Sequence, residues 1–74
     1  MVKVNAKETG KKIRRQMSIA GVDSNKLARS LGYSDRSTVN RWTRGQAFPS
    51  YENLVNMAIV LNCKIRDLVV FDDE

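Results

Sequence analysis

Apolar side chains recur along this chain at every third or fourth residue, and lone breakers interrupt them at short intervals, at Gly21, Gly32, Gly45 and Pro49. That pattern admits short amphipathic helices, excludes long ones, and lacks the strict alternation of a half-buried strand. The expectation is an all-α chain of about five helices with no sheet. Asn5 followed by Glu8 has the spacing of a capping box and opens a first helix, which turns Ile13 and Met17 inward and stops at Gly21. Asp23 caps a second helix over about 24–31, carrying Leu27, Ala28 and Leu31, and Gly32-Tyr33-Ser34 is a tight turn. Ser34 or Asp35 then caps a third helix over about 36–43, with Val39 and Trp42 facing the core. Ser50, just past the proline, caps a fourth helix that buries Leu54, Met57 or Ala58, and Leu61 and ends at Asn62. Ile65, Leu68 and Val69 fit a last short helical turn, and the acidic residues 72–74 are expected to fray into solvent. Gly10, like the other three glycines, reads as an isolated stop.

The 74 residues suffice for one domain, because a core of this size buries only about 60% of the surface of the unfolded chain. Function is then expected to reside in surface binding. The net charge of +5 is unevenly placed: residues 1–48 hold eleven basic and three acidic side chains, residues 49–74 two basic and five acidic. One end is suited to a polyanion, although basic residues also serve simply to keep a small domain soluble. With Cys63 as its only cysteine the chain has no internal disulfide, and it carries no apolar leader and no run of about 20 apolar residues. A cytoplasmic location in a bacterial host cell is expected, away from any membrane.

Catalysis finds little support. There is no histidine, Cys63 has no second cysteine or imidazole beside it, and no glycine-rich phosphate loop is present. No enzyme activity, cofactor, metal or small-molecule substrate is expected, and Cys63 is read as a small core residue. The informative stretch is Asp23 to Gly45, two short helices joined by a turn, the second bearing a dense set of long polar side chains. A protruding helix fits the major groove, where Arg can bridge guanine O6 and N7 and Asn can bridge the corresponding edge of adenine. Arg36, Asn40 and Arg41 have the right chemistry; taken alone, such a helix is more often an ordinary solvated face.

The ordered set Ile13-Arg14, Gly21-Val22-Asp23, Leu27-Ala28, Leu31-Gly32-Tyr33-Ser34, Ser37-Thr38-Val39, Arg41-Trp42, Arg44-Gly45, Pro49-Ser50, Leu54, Ala58, Leu61 and Leu68 resembles the Cro/C1-type helix-turn-helix domains of phage repressors and small bacterial regulators. The resemblance implies a five-helix, lambda-repressor-like fold over 1–74. It places Ser24 against a phosphate, Arg36, Ser37 and Arg41 at base edges with Asn40 beside them, and Arg44 and Gln46 on the phosphate strand. The implied function is a sequence-specific, double-stranded-DNA-binding transcriptional regulator of phage or mobile-element type. Such domains pair with their recognition helices about 34 Å apart, and Val69, Val70 and Phe71 are the expected homodimer or partner contact. The chain departs from the usual pattern by one extra residue between Gly32 and Val39, and by Gln16, Ser24 and Thr43. It is also similar to the small modulator-of-repression proteins of temperate phages of Gram-positive bacteria. That similarity implies an alternative: an antirepressor that binds a partner repressor protein and controls a lysis-lysogeny switch.

Overall fold

A computed structural model describes residues 1–73 of the chain. The elements run β1 (Val2–Val4), α1 (Ala6–Ala20), α2 (Ser24–Ser30), α3 (Ser37–Thr43), α4 (Tyr51–Leu61), a 3-10 turn (Ile65–Asp67) and β2 (Phe71–Asp73).

The helices begin where short polar side chains satisfy their orphan amides. Asn5 accepts from the Glu8 N–H at 2.9 Å, Asp23 from Lys26 at 2.8 Å and Ser50 from Asn53 at 3.1 Å. α1 and α4 end on residues in the left-handed region, Gly21 at φ +70° and Asn62 at φ +53°, and their following amides fold back onto helix carbonyls. Between them Ile13, Leu27, Val39, Met57 and Leu68 are wholly buried in one hydrophobic core, joined by Met17, Ala28, Trp42, Leu54, Leu61 and Val69.

Three expectations are corrected. There are four α-helices rather than five among the described residues, because the segment after Asn62 makes only a three-residue 3-10 turn, with the Lys64 N–H donating to the Asp67 carboxylate. A sheet is present: β1 and β2 pair antiparallel, with Val2 opposite Asp73, Lys3 opposite Asp72 and Val4 opposite Phe71. Asp72 and Asp73 are therefore strand residues and not part of a frayed tail; Glu74 lies outside the described residues. What closes this ribbon is a set of bonds between distant positions. The Asn5 N–H donates to Val70 O at 2.8 Å, the Val70 N–H donates to Thr9 Oγ1 at 2.9 Å, and Asn5 Nδ2 donates to an Asp72 carboxylate oxygen at 2.9 Å.

The third correction concerns Gly10, which is no stop: it lies within α1. A Cβ there would sit 2.5 Å from Trp42 O and 2.8 Å from Thr43 O, so the residue is bare because α3 passes against α1 at that point. Gly45 closes the same contact from the other side. Its φ of +73° favours glycine, and a Cβ would come within 2.6 Å of Lys7 Cα. The last turn of α3 is thereby seated on the first turns of α1.

Candidate nucleic-acid interface

α3 has only seven residues, too few to be helical in isolation, so its neighbours must hold it. Val39 is fully buried and Trp42 is 3% exposed. The Trp42 ring meets Tyr33 edge to face at a centroid distance of 6.1 Å, and Tyr33 Oη accepts from Asn53 Nδ2 at 3.0 Å, which ties the turn before α3 to α4. Thr43 is buried, and its hydroxyl donates to Asn40 O at 3.1 Å.

The opposite face is free. Ser37, Asn40, Arg41 and Arg44 stand at i, i+3, i+4 and i+7 and form a single stripe; Ser37, Arg41 and Arg44 are exposed and Asn40 is half-buried. Arg36 precedes them, exposed, as the residue that flanks the helix start. Among the described residues no side chain pairs with the guanidinium groups of Arg36, Arg41 and Arg44. Three unneutralised cations thus lie within one short helix and its two flanking positions.

The start of α3 differs in detail from expectation. The helix opens at Ser37, and Arg36 makes no side-chain cap. Asp35 caps from one position further back: its carboxylate accepts the Ser37 N–H at 2.9 Å and also the Ser37 hydroxyl. These two bonds, the hydroxyl's being the stronger influence, hold the Asp35 carboxyl below the usual carboxylate range. The cap is therefore intact at neutral pH and is lost only when acid protonates Asp35, below the pH at which an unfolded aspartate titrates. Ser37 offers an approaching base its oxygen as acceptor, since its proton is committed to Asp35.

At the other end Arg44 is the C-cap, and the Gln46 N–H donates to Arg41 O at 2.9 Å. The backbone amide of Gln46 is spent on closing the helix, so only its exposed side chain is available to a phosphate. Ser24 is half-buried at the first position of α2, the helix packed beside α3.

The Val69-Val70-Phe71 run does not form one surface. Val69 is in the core, Val70 is half-buried with both backbone groups bonded, and Phe71 alone is largely exposed, 60%. Cys63 is half-buried beside α4, and burial, with the Asp67 carboxylate adding to it, pushes its thiol up, away from thiolate chemistry. Among the described residues no group of His, Cys, Asp or Glu could hold a metal ion, and no helix is long and apolar enough to cross a membrane.

Sequence reasoning missed the two bare glycines that seat α3. The available signal was Gly10 itself: a glycine three residues before Ile13, within an otherwise uninterrupted amphipathic helix, marks a close backbone approach as readily as a stop.

A buried aromatic anchor behind a short helix, a tight turn before it and an outward stripe of Arg, Asn and Ser define a helix-turn-helix module for duplex DNA. The helix-turn-helix family model matches residues 11–68, and the chain belongs to this family, in its Cro/C1-type branch, as a DNA-binding transcriptional regulator. Among solved structures it is similar to the restriction-modification controller protein C.AhdI from Aeromonas hydrophila, with 30% identity and a TM-score of 0.78 over 86% of this chain and 91% of that one. No curated protein sequence matches the chain. Neither match is a modulator of repression, so the antirepressor alternative gains no support from them.

Proposed function

We propose that this protein is a sequence-specific regulator that reads an operator with α3 and belongs to a mobile genetic system of the phage or restriction-modification kind. The observation that carries the reading is the outward stripe of α3, Ser37, Asn40, Arg41 and Arg44 with Arg36 at its head, whose three arginines pair with no side chain among the described residues, on a helix whose other face is fixed by Val39 and Trp42. Arg36, Ser37, Asn40 and Arg41 face base edges. Arg44, Gln46 and Ser24 hold the phosphate strands and set the register without reading sequence. The similarity to a restriction-modification controller supports the regulatory setting.

The domain acts as a pair, because one seven-residue helix reaches too few base pairs for a unique site, and two copies on a two-fold site double the contacts. From the C-terminal run, Phe71 supplies the copy-to-copy contact together with its strand neighbours Val2 and Val4, which are also exposed. The test is to titrate a mixed-sequence duplex and the DNA flanking the gene at two salt concentrations. Affinity should fall steeply with salt for both, with one flanking segment bound at least a hundredfold more tightly than the mixed duplex. Binding that is absent, or indifferent to salt, rejects the proposal.

A further inference from the structure

The two flanks of α1 face different neighbours. Thr9 and Lys12 lie on one: Thr9 accepts from Val70, and Lys12 Nζ donates to Arg66 O at 3.3 Å, so this flank faces the C-terminal segment. Gly10 and Lys7 mark the other, since they are the positions pressed against Trp42, Thr43 and Gly45 at the end of α3. Helical geometry continues this second flank through i+4 and i+7 from Lys7, which brings Lys11 and Arg14 into one row with it. All three are exposed. Lys11 is partly neutralised by Glu8 at 3.0 Å, whereas among the described residues no carboxylate pairs with Lys7 or Arg14.

We infer that the Lys7-Lys11-Arg14 row is a second phosphate-binding surface, continuous with Arg44 and Gln46, which carries a DNA strand from the end of α3 along the side of α1. This rests on the reading of α3 as the DNA-contacting helix. Gly45 fixes the continuity: flanked by Arg44 and Gln46, its backbone rests directly on Lys7, so the two cationic rows meet with no side chain between them. Few acidic groups oppose them, since Glu8 is turned to Lys11 and the Asp35 carboxylate is bonded to Ser37. The ligand is the sugar-phosphate strand and not the bases, because flexible cations on an outer helix flank recognise charge without fixing sequence.

The experiment measures duplex affinity across a series of salt concentrations for the wild-type protein, for Lys7→Gln with Arg14→Gln, and for Arg66→Gln, which removes a charge from the 3-10 turn that meets the other flank of α1. Each phosphate contact contributes about 0.9 to the slope of log affinity against log salt, roughly eightfold in affinity at 0.1 M salt. The Lys7/Arg14 variant should therefore show a slope shallower by about 1.8 and a loss of well over tenfold that is equal for operator and mixed duplex. Arg66→Gln should keep the wild-type slope, and thermal melting should be the same for all three proteins. A steep wild-type slope that the Lys7/Arg14 variant retains overturns the second surface and leaves the role of α3 standing. A loss no larger than that of Arg66→Gln also overturns it, as a mere effect of net charge. A wild-type protein with no salt-sensitive binding overturns both.

Discussion

α3 and α4 are both short helices on the same core, yet they owe their existence to different things. α4 spans eleven residues, is capped by Ser50 and ended by Asn62 in the left-handed region, and buries Leu54, Met57 and Leu61. Its own sequence writes its boundaries. α3 spans seven residues and has no side-chain cap at the residue that flanks its start. Its position comes from what lies behind it: Trp42 and Val39 in the core, Tyr33 against the Trp42 ring, and the bare Gly10 and Gly45 that let α1 approach. Apart from the Asp35–Ser37 cap, α3 is held from behind, so Arg41 and Arg44 on its outer face can vary at little cost in stability, as a DNA-reading role would require.

The comparison implies a graded set of outcomes. Trp42→Ala should cost about 3 to 5 kcal/mol, since a large buried aromatic is deleted, and in a domain this small it should lower the melting temperature by well over 10 °C and abolish DNA binding. Gly10→Ala, whose methyl group meets two backbone carbonyls, should cost about 2 to 3 kcal/mol by overpacking. Because it displaces α3 rather than α4, DNA affinity should fall further than stability does; equal losses in calorimetry and binding would remove the distinction between the helices. Arg41→Ala should leave the melting curve unchanged and weaken operator binding by about 1 to 3 kcal/mol, whereas Arg44→Ala should weaken all duplexes alike, as duplex titrations would show. Ser50→Ala should do the reverse at smaller size, costing about 1 kcal/mol of stability through the lost α4 cap while leaving DNA affinity of the folded protein intact.

What could be read from the sequence follows the same division. The caps at Asn5, Asp23 and Ser50, the stops at Gly21 and Asn62 and the inward faces of α1 and α4 were legible, because each depends on residues within one helical turn of one another. The outward stripe of α3 was legible for a second reason: Val39 and Trp42 fix its phase, and Asn40, Arg41 and Arg44 follow. The terminal ribbon was not. Val2–Val4 and Phe71–Asp73 are three residues each, too short for any period to show, and they meet only because Asn5 and Thr9 bond Val70 across the length of the chain. The displacement of the α3 cap to Asp35 was half legible. Asp35 was a candidate cap, but its bonding to both the N–H and the hydroxyl of Ser37 depends on the conformation of the turn. The role of Gly10 required knowing which backbone passes beside it.

On the function proposed for this chain, duplex DNA lies on the outer face of α3. The direct test is a titration of isotope-labelled protein with a mixed-sequence duplex at low salt, following backbone amide resonances. Ser37, Asn40, Arg41, Arg44 and Gln46 should shift together, while Tyr51, Val55 and Ile59 on the outer side of α4 stay in place. Shifts centred on α4 or on the terminal ribbon, with α3 unmoved, would contradict it.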